Sequence, residues 1–245
     1  MIKGGEFLIK NQEAKDVFIP EEFGEDQLMM ASATKEFVEK ELDPHREQFE
    51  KKDYQLTEDC MKKAGELGLL GISVPSEYGG MGMPFNTSVL ICDKISGANG
   101  SFSTAFGAHT GIGTLPILLY GDDTQRKKYL PKLATGEWMG CYCLTEPGAG
   151  SDANSGKTKA VLTKDGKNYL ITGQKMWISN AGFADVFIVF ARIEDDKNIT
   201  GFILEKEMEG ITMGEEEYKL GLNSSSTRQV FFNDVKVPVE NMLGG

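Results

Sequence analysis

The chain has 245 residues, 40% of them hydrophobic and 26% charged, a globular composition with room for one large domain or two ordinary ones. Its formal net charge of −11 argues against nucleic acid as a partner, because that affinity comes largely from Lys and Arg. No apolar run reaches about 18 residues, so no membrane span is expected, and Met1–Lys10 lacks the apolar stretch of a signal peptide, which makes the cytoplasm the expected location.

The first half reads as helical. Leu28, Ala31, Phe37, Val38 and Leu42 recur at helical spacing within residues 25–50, and Pro44 should kink or end that helix. Thr57-Glu-Asp-Cys60 predicts the start of a second helix, stopped by Gly68 and Gly71. Residues 75–82 form a loop. Residues 86–97 and 101–119, rich in Ala, Ile, Leu and small side chains, predict two buried helices. Asp122-Asp-Thr-Gln125 has capping-box spacing and opens a polar helix through Leu133.

The pattern changes near Gly136. Trp138–Leu144 reads as a short buried strand. Thr158–Leu162 and Tyr169–Thr172 flank Asp165-Gly166, a hairpin turn signal. Asp185–Ile193, Thr200–Glu205 and Arg228–Val237 complete the predicted strands. Glu215-Glu-Glu217 reads as a solvated charge run, and Glu77 as structural. The fold class expected is α+β: an N-terminal extension over 1–24, an all-α helical domain over 25–136, and a β-barrel or sandwich middle domain over 137–245.

The four cysteines, Cys60, Cys92, Cys141 and Cys143, have no zinc or thioredoxin-like spacing and are expected buried and reduced. His45 and His109 are the only histidines, leaving little material for a histidine triad or metal site. His109 fits either a satisfied core histidine or a residue facing a substrate cavity.

Tyr142-Cys-Leu-Thr-Glu-Pro-Gly-Ala-Gly-Ser-Asp152 closes the first predicted strand, and Trp177-Ile-Ser179 follows 26 residues after Ser151. Gly148 and Gly150 allow a close backbone approach and φ > 0, and consecutive free N–H groups there can cradle an anion. Thr145 and Ser151 add hydroxyls, and Trp177 an indole. Such a surface suits a flat, polar-edged heterocycle with a phosphate tail. The G-x-G-x-x-G spacing of a dinucleotide fold is absent. Pro147–Gly150 alone would equally fit a surface turn.

This passage closely resembles the flavin-binding signature of acyl-CoA dehydrogenases. Leu67–Gly80, Tyr129–Glu137, Gly173–Asn180 and Val235–Gly244 resemble further passages of that family, so the resemblance covers almost the whole chain from about residue 25. It implies FAD, bound by Tyr142, Leu144, Thr145, Gly150, Ser151, Trp177, Ile178 and Ser179. Thr145 would bond the polar edge of the isoalloxazine, Trp177 pack against it and Ser179 sit near N5. Ser151 would contact the acyl-CoA substrate. Trp177 also fits sheet core, Ser179 a turn and Tyr142 plain strand packing, and Glu146 reads as a loop carboxylate rather than the base.

The family places its catalytic glutamate in a third, helical domain. This sequence ends about where that domain would begin, so the resemblance implies no catalytic residue within the chain and no activity from the chain alone. The complete enzyme would oxidise acyl-CoA to trans-2-enoyl-CoA in fatty-acid β-oxidation. It would pass electrons to an electron-transfer flavoprotein and form a homo-oligomer. Gly107-Ala-His109 resembles the very-long-chain branch of the family, and small residues at Gly100, Ser103 and Gly107 suggest either an open pocket floor with a preference for long acyl chains or close helix packing. A naturally short, non-catalytic flavin or acyl-CoA binding module, and an oxidase or flavin monooxygenase of the same fold, are the competing readings.

Overall fold

The computed structural model describes residues 5–244. The expectations placed on residues 1–4 and on Gly245 lie outside the described residues. Residues 5–23 carry only short 3-10 turns, at Glu6–Leu8, Ala14–Asp16 and Pro20–Glu22.

Seven α-helices follow among the described residues. α1 (Glu25–Phe37) runs into a π-helical turn, Val38–Leu42, and then a 3-10 turn around Pro44. Pro44 has no N–H to continue the ladder, so the chain restarts as α2 (Arg46–Glu50). α3 (Tyr54–Glu66) begins three residues before the Thr57 start expected from sequence. Asp53 caps it, accepting from the Leu56 amide at 3.0 Å, while the Thr57 hydroxyl instead meets Ser224 Oγ at 2.9 Å. Gly68, at φ 75°, ends it.

α4 (Phe85–Ala98) matches its predicted span, but the single helix expected over 101–119 is three pieces. α5 (Gly100–Gly107) passes into a π-helical segment, Ala108–Gly113, and resumes as α6 (Leu115–Tyr120). Two causes act there. Pro116 cannot donate to the ladder. Gly113 lies flat against Gly140, where an added Cβ would come 2.8 Å from the Gly140 carbonyl carbon. α7 (Asp123–Thr135) is opened by the Asp122/Gln125 capping box and closed by Gly136 at φ 75°.

The second half is a curled seven-stranded sheet: β1 (Gly140–Cys143), β2 (Lys159–Leu162), β3 (Asn168–Ser179), β4 (Val186–Ile193), β5 (Ile199–Glu205), β6 (Ile211–Glu216) and β7 (Thr227–Pro238). The order is β1-β4-β2-β3-β7-β6, with β5 also on β4. β2 and β3 form the hairpin expected at Asp165-Gly166, with Leu162 opposite Tyr169. β6 was missed by the sequence reading, and its last residues belong to the supposed charge run.

β1 and β2 both run parallel to β4. β1 pairs with Val186–Val189 and β2 with Arg192–Ile193. The chain between them, residues 144–158, therefore leaves the sheet and returns to it. That excursion carries most of the glycine-rich motif.

Strand alternation sorts the cores. Cys141, Cys143, Phe187 and Val189 point into the sheet with Ile171, Phe202 and Phe232. Val186 and Ile188 point the other way, onto Ile117 of α6 and Tyr129 and Leu133 of α7. A separate core of Leu42, Phe49, Met61, Ile91 and Phe102 holds the helical half. No helix among the described residues is long and apolar enough to cross a membrane.

Candidate cofactor and substrate site

The motif leaves β1 at Cys143 and turns tightly. The amides and carbonyls of Glu146 and Ala149 bond each other at 3.0 and 3.1 Å across Pro147-Gly148. Neither Gly148 nor Gly150 has the positive φ that the sequence reading allowed for. A Cβ at either would meet nothing within 4 Å, so the glycines leave bare backbone facing open space. Gly150 and Ser151 are exposed; Tyr142, Leu144 and Thr145 are half-buried. The Tyr142 ring lies 5.0 Å from that of Phe190.

The second segment approaches on β3. Its pairing with β7 slips between Lys175, opposite Val230, and Ile178, opposite Arg228, which is a β-bulge. At the bulge Trp177 takes φ 61°, a left-handed conformation costly for a bulky residue. Its indole is 55% exposed, so it is not sheet core. Ile178 resumes the alternation with its side chain inside the sheet, 2% exposed, and offers a ligand only its main chain. Ser179 is half-buried and pairs with Thr227.

The two segments are bonded to each other. The Met176 amide donates to the Thr145 carbonyl at 2.9 Å. The Lys175 ammonium, 1% exposed, donates to the Leu144 carbonyl at 3.0 Å and to Glu146 at 2.7 Å. Glu146, 7% exposed, also accepts from the amides of Lys157 at 2.6 Å and Thr158 at 3.1 Å. Burial alone would raise its carboxyl, but the Lys175 ammonium and these amides outweigh burial and hold it below its ordinary value. Burial lowers Lys175. With three donors on the carboxylate, the pair is ionised. Sequence reasoning missed this pair. The available signal was a lysine in a strand whose alternation fails between Lys175 and Ile178.

Behind β1, His109 is a satisfied core histidine. The Gly140 amide donates to its Nδ1 at 3.0 Å, which leaves Nε2–H to donate to the Leu133 carbonyl at 2.9 Å. Burial lowers its pKa to about 4. Cys141 and Cys143 are free thiols with sulfurs 4.0 Å apart, and burial pushes Cys141 up. At the end of β6, Glu216 is a hub rather than a solvated charge. It accepts from Arg228 Nε at 2.5 Å, Ser226 Oγ at 2.5 Å, the Thr227 amide at 3.0 Å and, from α3, Tyr54 Oη at 3.0 Å.

The helical half holds a cavity of about 210 Å³ between α4, α5 and the Leu69–Val74 turn. Leu70, Ile72, Val89, Cys92, Phe106 and Gly107 are among its walls. A Cβ at Gly107 would meet nothing within 4 Å, so close helix packing does not require the glycine there. Gly100 and Ser103 do not line the cavity. Gly100 approaches Leu222, and Ser103 bonds Ser96 at 3.0 Å.

A helical layer packed on a curled sheet, with a bulged, glycine-rich opening on the sheet and an apolar cavity among the helices, defines an α-then-β architecture. The models of the acyl-CoA dehydrogenase N-terminal and middle domains match residues 24–137 and 141–235. A probable acyl-CoA dehydrogenase of Bacillus subtilis is 48% identical over 242 residues, covering 99% of this chain and 40% of that protein. The human mitochondrial very long-chain specific acyl-CoA dehydrogenase is 46% identical over 188 residues, covering 73% of this chain and 28% of that protein. The crystal structure of an acyl-CoA dehydrogenase from Bacillus anthracis complexed with FAD superposes with a TM-score of 0.95 at 46% identity, over 100% of this chain and 42% of that one. The chain belongs to the acyl-CoA dehydrogenase family. It spans less than half the length of these three relatives.

Proposed function

We propose that this chain forms the FAD- and acyl-holding part of an acyl-CoA dehydrogenase that oxidises acyl-CoA thioesters to trans-2-enoyl-CoA in fatty-acid β-oxidation. The observation that carries the reading is the bond from the Met176 amide to the Thr145 carbonyl, 2.9 Å, which joins the motif loop to the Trp177 bulge as one surface. The residues fit a flavin. Gly148 and Gly150 expose bare backbone to open space, Thr145, Ser151 and Ser179 bring hydroxyls, and Trp177 brings an exposed indole at a strained bulge.

In this reading Tyr142, Leu144, Thr145, Gly150, Ser151, Trp177 and Ser179, with the main chain of Ile178, hold the cofactor. Ser151 also meets the entering thioester. The chemistry FAD supplies when bound is that of a hydride acceptor for the substrate's β-hydrogen. The apolar cavity takes the acyl chain, each buried methylene contributing about 0.8 kcal/mol. Glu146 cannot serve as the base that takes the α-proton, because Lys175 and two amides occupy its oxygens. We assign that base to a residue outside this chain, and with it most of the activity. An electron-transfer flavoprotein as acceptor and a homo-oligomeric assembly complete the proposal.

The test is a fluorescence titration of FAD into apoprotein made from the complete gene product, followed by acyl-CoA turnover. Tight, reversible FAD binding and enoyl-CoA formation are expected, with negligible turnover from the 245-residue chain alone. A colourless protein after reconstitution refutes the flavin site. Full turnover by the 245-residue chain returns the base to these residues.

A further inference from the structure

Resting on that flavin site, we propose that Glu146 and Lys175 are its positioning residues: a buried ion pair that holds the motif loop and the Trp177 bulge in one fixed register. Stability alone does not account for the pair. A buried ion pair contributes little that packed apolar side chains would not, because desolvation offsets its attraction. Its placement is what distinguishes it. Lys175 is the last paired residue of β3 before the bulge, and its ammonium reaches across to the Leu144 carbonyl in the motif, at 3.0 Å. Glu146, inside the motif, grips both that ammonium, at 2.7 Å, and the returning chain just before β2, at the amides of Lys157 and Thr158.

The excursion 144–158 is thereby tied at its departure, at its return and to the bulge. The fit is close: a Cβ at Gly156 would come 2.9 Å from Glu146 Oε1. Without the pair, the Met176–Thr145 bond at 2.9 Å and a long bond from the Thr158 hydroxyl to the Gln174 carbonyl, 3.4 Å, are left to join the excursion to β3 at the bulge. Backbone groups that must meet a rigid planar ligand together lose affinity when their mutual register is free.

The test separates positioning from folding. In the complete gene product, Lys175→Met removes the Leu144 bond and strands the carboxylate. FAD should bind about tenfold more weakly or worse, as expected for loss of hydrogen bonds to a charged group, and the apoprotein Tm should fall. Adding Glu146→Gln removes the stranded charge, so the Tm of the double variant should recover while the FAD Kd does not. Recovery of Kd in step with Tm would make the pair merely structural and overturn the proposal.

If Lys175→Met does not fold, Glu146→Gln alone decides. Its single remaining oxygen can accept from the Lys175 ammonium or from the Lys157 amide but not from both, so one tie is lost: a Kd raised by more than the fall in Tm accounts for supports positioning, and an unchanged Kd overturns it. A parent protein that binds no FAD removes the flavin site itself, and the positioning role with it. A parent that binds FAD beside a double variant that binds it equally well removes only the positioning role.

Discussion

The Gly140 amide donates to Nδ1 of His109 across 3.0 Å, and this bond ties the first residue of β1 to the π-helical segment between α5 and α6. The same segment contributes Thr110 and Gly111 to the cavity wall. The two halves of the molecule therefore meet at a neutral imidazole whose tautomer is set by its two partners.

That bond has a pH signature. Burial lowers His109 to about 4, against about 6.5 in an unfolded chain. Between those values the unfolded chain holds the extra proton, so the stability His109 lends at neutral pH is lost as pH falls from about 6.5 through about 4. The full loss corresponds to about 3 kcal/mol. Urea unfolding of the protein and of His109→Gln should differ most near pH 7.5 and converge toward pH 4.5. A pH-independent difference would contradict the assignment.

Trp177 should matter to the cofactor and little to the fold. Its indole is 55% exposed and its φ is 61°. Trp177→Gly relieves the left-handed strain, so it should be about 1 kcal/mol more stable than Trp177→Ala. Both variants should hold FAD weakly and reoxidise the flavin slowly. Unchanged FAD retention in both would remove the indole from the site.

Gly107 should set chain length. Its missing Cβ faces open cavity, and glycine in a helix costs about 1 kcal/mol relative to alanine, so Gly107→Leu should fold at least as stably as the parent. The parent should favour long thioesters, with kcat/KM rising along a C4 to C18 series. Gly107→Leu should shift the maximum to shorter chains. A parent maximum at C4–C6 would reject the open cavity as the acyl site.

Glu216 joins the halves on the other side. Glu216→Ala leaves Arg228 and Tyr54 without their shared acceptor and should cost on the order of 3 kcal/mol in denaturant unfolding. Burial alone would raise the carboxyl, but Ser226, Arg228 and Thr227 outweigh it and hold it below its ordinary value. Its contribution is therefore present above about pH 4.5 and lost on further acidification. Glu216→Gln and the parent should thus converge in acid.

Much of this was legible without coordinates, because it is local. Pro44 breaks a helix wherever it stands, Gly68 ends one through its positive φ, the Asp122/Gln125 spacing caps α7, and Asp165-Gly166 turns a hairpin. The motif composition was legible for the same reason: glycines and hydroxyls carry their chemistry in their own covalent structure.

What only the tertiary structure decided depends on partners distant in sequence. β6 has weak alternation and exists because β7 pairs with it. Glu216 was mistaken for a surface charge because its partners, Tyr54 and Arg228, come from α3 and β7. The break in the 101–119 helix follows from the contact of Gly113 with Gly140 as well as from Pro116. The buried state of Lys175 follows from a bulge that turns Trp177 outward and from a carboxylate 29 residues earlier. A charge enters a core only where folding brings its counter-charge and donors to meet it, and that meeting is not written in any window of the sequence.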